Sequence, residues 1–221
     1  MKVEYNVFAR FASRCGEIVE EPGVPQVLVA VYQSSSQTRL ARFLSAMTAV
    51  DDATTRASNA TTEVARLLEE MDPLFRIGRS TVAAMIPETK LPDTLKSQPT
   101  DTDKRKAIQR LVDIITPHAG QPWSDVLLQG DFGQKATETM QCLNESIEAH
   151  NALQKAKHER AQSFQPAWDA YVSFKRLVRD TLGANSRQYR RIHMRGASPI
   201  EEGTPSPTEP TPPLPQPSSP A

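Results

Sequence analysis

The stretch LARFLSAMTAVDDATTRASNATTEVARLLEEMDPLFRIGRSTVAAM, residues 40–85, decides how this chain folds. Read every 3.5 residues it gives Leu40, Phe43, Met47, Val50, Thr54, Ala57, Thr61, Val64, Leu68, Met71, Phe75, Gly78, Val82 and Met85. That spacing sets one apolar seam along one side of a helix, and the seam is stable only where another helix covers it. It specifies shape and packing, with no reactive group attached. Thr54, Thr55, Ser58, Asn59, Thr61 and Thr62 weaken the intrinsic helix propensity of the middle, so the partner has to hold it. Small seam residues at Thr54, Ala57 and Thr61 would permit close approach.

The partner is expected in a second long helical stretch, from about Gln134 to Leu182. Its seam reads Met140, Leu143, Ile147, His150, Gln154, Lys157, Ala161, Phe164, Trp168, Tyr171, Lys175, Val178 and Leu182. His150, Gln154 and Lys157 stand where Thr54, Ala57 and Thr61 stand on the first seam. They read as a polar layer that fixes register or faces solvent, with a small-ligand site as the alternative. Both stretches carry a proline. Asp72-Pro73 reads as a kink or a re-start with Asp72 as N-cap, and Pro166 as a first-turn residue behind a Ser163 cap.

Outward from these stretches the expectations are plainer. Ser34-Ser35-Ser36 offer N-caps for the first long helix. Pro87, Pro92 and Pro99 make 87–100 a linker. Thr100-Asp101-Thr102-Asp103 caps a helix facing inward with Ile108, Leu111, Val112 and Ile115, and Thr116-Pro117 ends it. Residues 117–133 read as loop around a short turn, Ser124 to Gln129. In residues 1–36, Val3, Tyr5 and Val7 alternate like a strand, Phe8 to Val19 follow a helical face, and Glu21-Pro22-Gly23 is a break; one short helix is expected. Three regions result: an N-terminal segment 1–36, a helical bundle 37–195, and a tail 196–221 that holds nine of the 18 prolines and reads as disordered.

Composition agrees with elongated helices that bury a stripe. Hydrophobic residues make up 38%, aromatics 6%, and mean hydropathy is −0.49. Cys15 and Cys142 have no metal-binding or paired spacing and read as reduced thiols of a cytoplasmic protein. No run approaches the roughly 18 apolar residues that cross a bilayer, and Met1 to Tyr5 lacks the plan of a signal peptide.

Catalytic patterns are missing from the sequence. His118, His150, His158 and His193 are scattered, and no Glu-x-x-His pair suggests a di-iron bundle. Gly130-Asp131-Phe132-Gly133 echoes a kinase tripeptide without any other kinase element. An enzyme is therefore not expected, and neither a cofactor nor a metal is called for. Net charge is zero, yet the region 151–195 is basic. Lys175, Arg176 and Arg179 are followed by Arg187, Arg190, Arg191, His193 and Arg195, a set able to neutralise phosphates, with Tyr189 for stacking. In the tail, Pro212, Pro213, Leu214 and Pro215 have polyproline II spacing of the kind SH3 and WW grooves read.

Gly183, Ser186 and Tyr189, following the long stretch from Ala156, resemble the close of a loose group of bacterial all-helical proteins. In that group a long C-terminal helix is followed by Tyr-Gly-x-x-Ser-x-x-Tyr; here Leu182 replaces the first tyrosine. The resemblance spans about 35 residues and implies helicity and a bacterial origin, and no activity. The whole sequence predicts an all-α, elongated, antiparallel bundle with coiled-coil-like helices. Its expected role is a non-enzymatic structural or interaction protein, with a protein partner or self-association through the helix seams. The alternative is a nucleic-acid-associated protein using the basic end.

Overall fold

A computed structural model describes residues 4–194, and these are helical without a strand. The all-α reading is correct. Helix α1 spans Tyr5–Val19, so the strand-like alternation at Tyr5 and Val7 is overridden by the helical face of Phe8, Ala12, Cys15 and Ile18, all buried. The break at 21–23 contains Gly23 at φ +84°. Helix α2 covers Gln26–Val31 and passes through a single π-helical turn, Tyr32–Ser36, into α3, Gln37–Met85.

The serines at 34–36 therefore do not cap a helix start. The Ser34 and Ser35 hydroxyls return to the Val31 carbonyl, and buried Ser36 donates to Ala170 O on another helix at 3.5 Å. Hydroxyls satisfied this way leave the backbone free to continue. Asp72 is not an N-cap either, because α3 runs through Pro73. Its buried carboxylate instead accepts from the Leu95 amide at 2.7 Å and from Arg76 at 2.6 Å, pinning the 87–100 linker to the last third of the helix.

Beyond the linker, α4 spans Asp101–Ile115, with Thr100 accepting from the Asp103 amide as N-cap. A 3-10 turn, Thr116–His118, leads to α5, Pro122–Gln129, and α6 runs Asp131–Leu182. More of 117–133 is helical than the sequence suggested. The α5–α6 turn is tight enough that a Cβ on Gly133 would lie 1.9 Å from Leu128 O. Pro166, like Pro73, sits inside a continuous helix. Helix α7, Arg187–Ile192, closes the described chain.

Helices α3 and α6 pack antiparallel. The rings of Phe43 and Phe164 are 5.8 Å apart near one end, and Lys135 reaches Glu70 at 2.7 Å near the other. At about 1.5 Å per residue the 52-residue α6 is ~78 Å long.

Two separate cores grow on this pair. In the first, α1, α2 and α7 add Phe8, Leu28 and Ile192 to Phe43, Phe164, Tyr171 and Phe174. In the second, α4 and α5 add Ile108, Leu111 and Leu127 to Met71, Phe75, Phe132 and Leu143. Gly78 lets this lobe close, since Leu111 and Phe132 lie 3.2 and 3.4 Å from where its Cβ would be. Between the lobes α3 and α6 are alone, joined by Val50, Ala53, Ala156 and the half-buried Leu153. The molecule is two lobes on a two-helix waist.

The waist corrects the expected register. Thr54 and Thr61 face outward with their hydroxyls on the Val50 and Ala57 carbonyls, and Ala53 takes the seam position. On α6, His150, Gln154 and Lys157 are exposed, and Leu153 and Ala156 turn inward. Of the two expectations for these three residues, solvent exposure holds and a buried polar layer does not form. Met85, the last residue of the first seam, is also exposed.

Candidate functional site

Among the described residues no group of three or more His, Cys, Asp or Glu side chains is placed to hold a metal ion. No described helix is long and apolar enough to cross a membrane. His150 directs its Nδ1 at the Ser146 carbonyl of its own helix, 2.8 Å away. Gly130-Asp131-Phe132-Gly133 is the α5–α6 turn, with Phe132 in the second core. Burial raises the Cys15 thiol pKa far above its ordinary range, which leaves it a poor nucleophile.

The remaining candidate is the basic end, and its construction begins at Gly183. With φ +88° this residue ends α6 in a conformation that L side chains rarely adopt. Ser186 then caps α7 by accepting from the Tyr189 amide at 3.2 Å. Helix α7 folds back along α6, where the buried Tyr171 hydroxyl donates to Ile192 O. Burial raises the Tyr171 pKa well above the usual phenol range, so it remains a donor. Ile192 and Met194 complete the first core.

This fold-back sorts the arginines. Arg191 is held by α1: it pairs with Glu17 at 2.5 Å and with Glu21. Arg14 donates to the Arg191 carbonyl at 3.2 Å, and Gln188 donates to Glu21 at 3.0 Å. Arg191 therefore clamps α7 to the end of α1, its charge paired with two carboxylates. Arg187 and Arg190 are exposed on the outer side of α7. Arg195, and Pro212, Pro213, Leu214 and Pro215 of the polyproline segment, lie outside the described residues.

The α6 side of this end supplies the rest. Lys175 is half-buried with its ammonium 5.4 Å from the Tyr171 ring centre. Its pKa is lowered first by burial, then by Arg176 and Arg179 beside it. Arg179 pairs with Asp180 at 2.9 Å. Tyr189 stacks on His193 with ring centres 5.1 Å apart. The result is a cationic ridge on the last turns of α6, with Tyr189 of α7 and His193 just beyond it as an aromatic pair. It can attract anions.

The sequence places Arg191 in the basic run; its pairing with Glu17 and Glu21 is visible only in the fold. The signal was present in Glu17 of α1 and Glu21 just past its end, yet nothing in the linear chain places them beside residue 191. Compared with protein-family models, with curated proteins and with solved structures, the chain matches none.

Proposed function

We propose that this chain is a non-enzymatic structural or interaction protein that acts as a helical spacer, holding two lobes a fixed distance apart. What supports the reading is the antiparallel α3/α6 pair, which belongs to both cores and bridges them alone at the waist. The seam of α3 is used up inside the chain by α6. A partner therefore meets the outer faces of the lobes, which are polar, with Val27, Ile77, Met85 and Val126 as the large exposed apolar side chains among the described residues.

Small-angle scattering tests the shape. A spacer gives a radius of gyration well above the ~17 Å of a compact chain of this length. Deleting one heptad from each helix of the waist, residues 51–57 together with 150–156, keeps the antiparallel register and shortens the rod by about 10 Å. A spacer so shortened folds but fails to complement a strain lacking the protein. Full complementation would sink this reading.

A further inference from the structure

The basic end carries more positive charge than its own carboxylates neutralise. Its ion pairs are Arg179 with Asp180 and Arg191 with Glu17 and Glu21. Lys175, Arg176, Arg187 and Arg190 form none among the described residues, and all but the half-buried Lys175 are exposed. Lys175, Arg176 and Arg179 repel one another on the last turns of α6, and an anion with several charges relieves such like charges together. The depressed Lys175 pKa reflects that crowding, behind burial as its first cause. Beside the ridge, the Tyr189–His193 pair offers a ring surface, with His193 exposed.

We propose that this end of the rod binds single-stranded nucleic acid: Lys175, Arg176, Arg187 and Arg190 contact the phosphates, and His193, backed by Tyr189, stacks on a base. The site is independent of the spacer reading. An anionic membrane surface shares the phosphate chemistry, but binding there draws on aromatic or leucine side chains that insert between lipids. The one large exposed apolar side chain of this lobe among the described residues is Val27. A single strand is favoured over a duplex because stacking on an exposed ring needs an unpaired base.

Fluorescence anisotropy of the full chain with a labelled 20-nucleotide oligothymidylate tests this, against a duplex of equal length and phosphatidylglycerol vesicles. Contact with three or four phosphates weakens binding on the order of 20- to 50-fold between 50 and 200 mM salt. Replacing Lys175, Arg176 and Arg190 by Gln together should weaken binding at least tenfold. The same number of charges removed from the other lobe, at Lys90, Lys96 and Lys106, should change it less than twofold. Arg176→Gln with Arg190→Gln gives the same direction without touching the half-buried Lys175, which guards against a folding defect. His193→Ala should weaken the single strand several-fold and leave the duplex unaffected. Equal losses from both triple variants, salt-independent binding, vesicle binding in place of oligonucleotide binding, or no binding to any of the three would overturn the proposal.

Discussion

Asp72 is the residue whose role changes most between sequence and structure. An Asp before a proline reads as a helix start, yet α3 passes through it and its carboxylate holds the Leu95 amide across the linker. Asp72→Ala leaves that buried N–H without a partner, and thermal unfolding should show a loss of about 1–3 kcal/mol. Asp72→Asn, which keeps an acceptor, should lose less. Equal stability of wild type and Asp72→Ala would refute this role.

A second residue-scale effect is set by burial. Cys15, Tyr32 and Tyr171 all have raised pKa values, with burial the first cause of each. From pH ~8.5 upward the unfolded chain releases the Cys15 proton while the folded chain keeps it, so the folded state binds more protons. Stability is therefore fully present below that pH and falls as pH rises, with the two tyrosines steepening the fall from about pH 10. Urea midpoints at pH 7, 9 and 10.5 should decrease in that order, and Cys15→Ala should flatten the first interval. An unchanged midpoint at pH 10.5 would contradict the burial of these groups.

At the scale of elements, the waist is the thin part of α3 and α6. Alanines and one valine give little apolar area to bury, and no third helix covers them. Amide hydrogen exchange should be faster at 50–60 and 149–157 than in either lobe, since local opening there breaks few contacts. Ala156→Leu adds volume where the helices approach closely and should cost about 1–3 kcal/mol. A stabilised Ala156→Leu variant would mean that the waist is wider than described.

The elements were unevenly legible in the sequence. Leu40 to Val50 and Val64 to Val82 were assigned to the correct face, because large apolar residues mark it without ambiguity. In the middle the assigned face slipped by one residue, to Thr54 in place of Ala53 and to Gln154 and Lys157 in place of Leu153 and Ala156. A strict 3.5-residue step drifts by about 20° per heptad on a straight helix, and small residues supply no contrast to correct it. Helix α4 was marked by its cap, Thr100, which acts locally. Helix α1 was half hidden because its buried face finds its partners far along the chain, on α3, α6 and α7.

On the scale of the molecule, two cores share two helices and little else. Phe43 packs against Phe8, Tyr5 and Phe164 in the first core. Phe43→Ala should cost about 3–5 kcal/mol. Hydrogen exchange should then accelerate in α1, α7 and the adjoining ends of α3 and α6, while α4 and α5 stay protected. Uniform acceleration across both lobes would mean that the waist transmits unfolding, and the two-core description would fail.

The linear order of residues determined that the chain is helical, that its two longest helices carry apolar seams, and where the Thr100 cap, the linker and the basic run fall. These depend on periodicity and on contacts within a few residues, which the sequence displays directly. Tertiary structure alone decided that the prolines are absorbed into continuous helices, that Asp72 anchors a linker, and that Arg191 is spent on α1 while Arg187 and Arg190 stay free. Each of those outcomes depends on a partner more than twenty residues away, and a buried or paired charge is settled by what surrounds it in space.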